Sequence, residues 1–230
     1  MTRIFHIPGI IFLIVAFVLL FLVSISLPFL TPLDFARVHF TSGSPFIGNN
    51  GGSVDQLRVS TFSAFCFYDD LGERVCSPAG GAYSSTVFNN EAHDTAVTVG
   101  ATWTRGLAVH PVAAGVTFIA LMLSFSTHVT MTLLASLIAF LASLLTLIAF
   151  AIDIALFVYV KHQMKKLDGV IANTDTGPGF WMTFVSFILL CLAGCTVCFG
   201  RRRDRMSDAT VYPAVSKLSW KDKLRARFRR

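Results

Sequence analysis

Residues 104–125 read TRGLAVHPVAAGVTFIALMLSF, and their interpretation decides the fold. From Val112 onward the stretch is hydrocarbon broken only by small polar residues, and it is long enough to cross a bilayer. A helix needs about 20 apolar residues to span about 30 Å of hydrocarbon. Arg105, His110 and Pro111 crowd its first third. Proline is well tolerated in the first turn of a helix, where its missing N–H has no intrahelical partner anyway. Pro111 therefore marks a helix beginning near Val109, with Gly106–Ala108 leading into it. His110 then falls at the boundary between hydrocarbon and water.

Three further stretches have the same character. The four expected spans are 7–27, 107–126, 132–160 and 180–199 of a 230-residue chain that is 54% hydrophobic and only 14% charged. Ordinary soluble domains carry about 25% charged residues. The first run is longer than the 7–15 residues of a signal-peptide core, so it reads as a retained helix. The fold class expected is a membrane protein, mainly α, with a four-helix domain over residues 1–200.

Basic residues flanking membrane helices mark the cytosolic side. Of 19 Lys and Arg, 11 lie between Arg201 and Arg230, directly after the fourth span. The expected topology places both termini in the cytosol and the 31–106 loop outside. That loop holds no lysine and seven acids (Asp34, Asp55, Asp69, Asp70, Glu73, Glu91 and Asp94). Lys161, Lys165 and Lys166 then fall in the second outer loop and argue weakly the other way. Segments 57–68 and 83–88, rich in β-branched and aromatic residues, predict short strands, hence a small outer β-sheet.

Cysteines divide between two places. Cys66 and Cys76 lie in the first loop, where an oxidising compartment favours a disulfide closing a short hairpin. Cys191, Cys195 and Cys198 lie in the inner half of the last span. Cys195 and Cys198 are candidates for lipidation at the cytosolic membrane face, and small packing residues are an equally good reading. Their spacing gives no metal site.

The stretch FCFYDDLGERVCS and the later LAVHPVA, in this order after a first span, resemble the fungal PalI family of claudin-like four-helix membrane proteins. Cys66, Cys76, His110 and Pro111 occupy the matching positions. A glycine common before the first cysteine is replaced here by Ser63-Ala64-Phe65. The resemblance implies a claudin-like bundle and a plasma-membrane accessory or regulatory role in ambient pH sensing, alongside a larger membrane sensor. The alternative it implies is a structural organiser of plasma-membrane domains. Neither is an enzyme, and no cofactor or nucleic-acid partner is expected.

Asp153 is the acid inside a span. A lone charge at membrane depth costs several kcal/mol, so it should face the bundle and find a partner. The second and third spans form a hairpin turning at His128-Val129, so residues at equal depth average near 129. That arithmetic matches Asp153 with Arg105 and leaves His110 as a third member of an intramembrane cluster. Ala135, Ala139, Ser143, Ala151 and Ala155 form a small-residue stripe at four-residue spacing, suited to close helix packing. In the tail, Trp220, Leu224 and Phe228 recur every four residues among Lys221, Lys223, Arg225 and Arg227. Such a helix suits an anionic inner leaflet.

Overall fold

The computed structural model of the protein describes residues 3–30, 32–43, 45–47, 53–60, 64–78, 83–89, 95–126 and 128–211. Four long helices dominate them. These are α1 (Arg3–Phe29), α3 (Val109–Ser124), α4 (Val129–Met164) and α5 (Pro178–Val211). A short helix α2 (Ala101–Arg105) and a 3₁₀ turn (Gly106–Ala108) lead into α3. Segments long and apolar enough to cross a membrane are Ile7–Ile25, Ala101–Ser124, Thr130–Met164 and Pro178–Thr196. The second therefore begins about six residues earlier than the hydropathy suggested.

Around the bundle α1 packs against α3 and α5, and α4 packs against α3 and α5. Small residues make the close approach possible. Ala16, Ala113, Ala120, Ala139, Ala142 and Ala193 are buried between Leu13, Leu20 and Leu190. With no hydrophobic gain from helix association in lipid, such packing supplies the cohesion. Thr117, Thr146, Thr183 and Ser186 are also buried, and each hydroxyl bonds the carbonyl four residues back in its own helix.

The small-residue stripe of α4 follows the expected line only in part. Ala135, Ala139 and Ser143 are buried, whereas Ala151 and Ala155 are exposed. The buried line instead continues through Thr146, Ala149, Asp153, Leu156 and Val160. Four residues advance a helix by roughly 400°, so a strict four-residue spacing drifts around the surface. Alternating steps of three and four hold the face.

Helix α4 has 36 residues, which at about 1.5 Å each exceeds a 30 Å hydrocarbon core by many residues. The excess carries a β-structured cap. Five strands form an antiparallel sheet in the order β5-β4-β3-β1-β8, and three form a second in the order β2-β6-β7. The strands are β1 (Ala36–Ser42), β2 (Phe46–Ile47), β3 (Val54–Val59), β4 (Phe65–Asp69), β5 (Arg74–Cys76), β6 (Ser85–Phe88), β7 (Ala96–Val99) and β8 (Ile171–Thr176). Seven come from the loop between the first two spans, where the sequence led one to expect strands only over 57–68 and 83–88. The eighth comes from the loop between the last two and pairs with β1 along its length.

Alternation gives the five-stranded sheet two unlike faces. Val38, Phe40, Leu57, Val59 and Phe65 turn inward onto Leu156, Val160, Met164 and Leu167 around the end of α4. Arg37, His39, Arg58 and Tyr68 alternate with them on the opposite, polar face. Cys66 and Cys76 are register partners on β4 and β5 and form a disulfide.

A candidate proton site in the helix bundle

Asp153 is fully buried on α4, and its partner is His110, fully buried on α3. His110 Nε2 lies 3.1 Å from Asp153 Oδ2. The other ring nitrogen, Nδ1, lies 3.0 Å from the carbonyl oxygen of Leu107 in the 3₁₀ turn. A carbonyl can only accept, so Nδ1 donates to it and carries a proton. Nε2 and Oδ2 then face each other as a base and a carboxylate, and one further proton must lie between them. The second carboxyl oxygen, Oδ1, has no hydrogen-bond partner among the described residues.

The Arg105–Asp153 pair expected from depth matching is replaced by His110–Asp153. The depth arithmetic itself holds for the backbone: a Cβ on Gly106 would sit 3.2 Å from Ile152 Cγ2, and 106 and 152 also average 129. What overturns the pairing is side-chain direction. Cα–Cβ bonds tilt toward a helix's N-terminus. Helices α3 and α4 run in opposite senses, so the His110 side chain leans toward the sheet and Asp153 leans away from it. The two converge although their backbones lie at different levels. Face matters as well. His110 shares the buried side of α3 with Ala113, Ala114, Thr117, Ala120, Leu121 and Ser124. Arg105 is exposed and falls on the helical line of Val112 and Ile119, which are 55% and 52% exposed.

An aromatic pair marks the depth. Trp103 stacks on Tyr159 with centroids 4.5 Å apart, and the Tyr159 hydroxyl donates to the Thr98 carbonyl. Tryptophan and tyrosine concentrate at membrane–water interfaces. His110 is seven residues past Trp103 and Asp153 six before Tyr159, so the pair lies roughly 10 Å deeper toward the bundle centre.

A second buried carboxylate escaped the sequence reading. Asp34 is fully buried just before β1, where Arg37 grips both its oxygens, Nη2 to Oδ1 at 2.9 Å and Nε to Oδ2. Arg58 Nε stands 3.9 Å from Oδ2 and its guanidinium lies over the Tyr68 ring. Hydrogen bonding to Asp34 holds the Arg37 guanidinium above its ordinary value, against the cost of its partial burial. The Asp34 carbonyl accepts the Gly179 N–H and the Phe35 carbonyl accepts the Gly177 N–H, at 2.9 and 2.7 Å. The cap is thereby fastened to the start of α5. The signal available in sequence was a lone aspartate three residues before an arginine, too common to single out.

The remaining expected sites are spread out. Cys195 is exposed near the far end of the last span, and Cys191, also exposed, contacts the Ser143 hydroxyl at 3.1 Å. The Cys198 side chain and the basic amphipathic segment from Trp220 to Phe228 lie outside the described residues. No cluster of three or more metal-ligating side chains occurs among the described residues.

Four apolar helices, capped by an antiparallel sheet built mainly from the loop between the first two and stapled by one disulfide, define a claudin-like membrane protein. The chain belongs to the SUR7/PalI family, whose family model matches residues 5–199. It is similar to the pH-response regulator protein palI/RIM9 of Yarrowia lipolytica (strain CLIB 122 / E 150), 28% identical over 158 residues. That match takes in 66% of this chain and 19% of the relative, so the chain spans about a fifth of the curated protein it matches.

Proposed function

We propose that the protein is a plasma-membrane regulator of the response to ambient pH, working beside a larger membrane sensor rather than as an enzyme. The observation that carries this reading is the match to a pH-response regulator within a family spanning nearly the whole chain. The relative's extra length lies outside the match. The buried His110–Asp153 pair supports the reading, because histidine is the side chain that titrates near neutral pH.

In this reading both termini face the cytosol and the cap faces the medium. The basic residues from Arg201 onward, beyond the fourth span, and the lysine-free first loop support that orientation. The cap would be the partner-binding part, and the basic tail would contact anionic inner-leaflet lipids.

Removal of the protein from its native host tests the role. Cells lacking it should lose most of the transcriptional response to a shift in medium pH while growing normally at a fixed pH. An unchanged response, together with altered static patches in the plasma membrane, would favour a structural organiser instead.

A further inference from the structure

We propose that His110 and Asp153 form a proton-binding site which holds one shared proton when α3 and α4 are closed and releases it when they part. The proposal deepens the pH-response reading but stands on geometry, not on the pathway. Nδ1 is committed to the Leu107 carbonyl, leaving Nε2 and Oδ2 3.1 Å apart with neither supplying a donor unless a proton lies between them. Both side chains are fully buried. The closed pair is therefore neutral with its proton and carries an uncompensated negative charge without it.

Among the described residues the neighbouring elements bring no other charge to the site. The span of α1, Ile7–Ile25, contains no titratable residue, and Pro178–Thr196 of α5 offers only Cys191 and Cys195. Cys191 lies level with Ser143, ten residues from Asp153 along α4. Arg105 on α2 is exposed, as are Lys161 and His162 beyond the aromatic pair on α4. Tyr159 donates to Thr98, Tyr83 to Ser60, and Asp34 is held by Arg37.

Counting protons gives the pH dependence. An opened, hydrated pair behaves like free imidazole and carboxylate, with ordinary values of about 6.5 and 3.9. Between those values the open pair also holds one such proton, so closing is indifferent to pH. Above about 6.5 the open pair holds none while the closed pair holds one. Closure is then a proton-uptake step, and each pH unit shifts the equilibrium about tenfold toward the open form. Stabilisation by the closed pair is thus complete between about 3.9 and 6.5 and is lost as pH rises above that window.

The consequence reaches the cap. The Leu107 carbonyl that holds His110 belongs to the 3₁₀ turn, and the Leu107 side chain is fully buried in the core beneath the sheet. Opening the pair frees the turn on which the cap sits. An alkaline medium would act through this route on whatever surface the cap presents.

Hydrogen exchange of the full chain in lipid nanodiscs tests this, with rates corrected for base catalysis against an unstructured peptide. Between pH 7 and 9 the amides of 106–110 and 112 should lose about 100-fold in protection, tenfold per unit. Amides of 10–22 in α1 should change less than twofold. The double variant His110→Phe, Asp153→Leu should abolish the slope. A flat wild-type profile, or an equal slope in the double variant, overturns the proposal.

If the double variant does not fold, ¹⁵N spectra of histidine-labelled wild type decide. A His110 Nδ1 that carries no proton at pH 7 contradicts the site, and a protonated Nδ1 with Nε2 in a strong hydrogen bond sustains it. Failure here leaves the host pH response as a separate question, and loss of that response would still support the regulatory reading.

Discussion

Gly177→Ala should be among the most damaging single substitutions in the cap, although it adds one methyl group. A Cβ at this position would sit 2.2 Å from the Asp34 carbonyl oxygen and 2.9 Å from Asp34 Oδ1. The backbone there is not left-handed, so the requirement is for space alone. Relief means parting the start of β1 from the start of α5. That loses two backbone hydrogen bonds, Gly177 to Phe35 and Gly179 to Asp34. Each is worth about 1 kcal/mol net, and a buried group left without a partner adds about 1–3 kcal/mol. The expected loss is roughly 3–5 kcal/mol on that basis. Gly194→Ala is the control, since a Cβ there meets nothing within 4 Å on the same helix. Thermal unfolding in nanodiscs, followed by tryptophan fluorescence, should show a large fall in midpoint for the first and none for the second. Equal midpoints would refute the tight seam between cap and α5.

Two further outcomes are expected. Non-reducing peptide mapping should recover Cys66 and Cys76 as one linked species, and reduction should cost the cap roughly 2–3 kcal/mol by loop entropy. Tyr83 is fully buried with its hydroxyl 2.6 Å from the Ser60 carbonyl, and burial pushes its ionisation well above the ordinary range. Its contribution is complete below about pH 10 and should fall by about 1.4 kcal/mol per unit above it, because only the unfolded chain ionises there. Tyr83→Phe should remove that alkaline loss in unfolding titrations while costing about 1 kcal/mol at neutral pH.

The spans, the disulfide and the strands over 57–68 and 83–88 were legible because each rests on a local pattern: apolar length, cysteine spacing, β-branched runs. Strand β8 was not. Ile171–Thr176 reads IANTDT, a polar edge strand whose only reason to be extended is β1 beside it. Asp34 was hidden for a similar reason, since its partners converge through the pairing of β1 with β3, where Arg37 stands opposite Arg58. In the membrane, counting from the hairpin matched backbone heights and still named the wrong partner, because His110 and Asp153 meet from different levels. A residue number fixes height along a helix, whereas contact also depends on face and on the lean of the side chain. The buried line of small residues below His110 carried that information and pointed to His110 rather than Arg105.

A double-mutant cycle on His110 and Asp153 tests the central claim most directly, with stability read by denaturant unfolding in lipid. Breaking a buried pair from one side costs about 3–5 kcal/mol, because the survivor is left uncompensated. His110→Phe and Asp153→Leu should each show such a loss, the double variant should recover most of it, and Arg105→Gln should stay within about 0.5 kcal/mol of wild type. Strict additivity for His110 and Asp153, or coupling of Asp153 to Arg105 instead, would contradict the account.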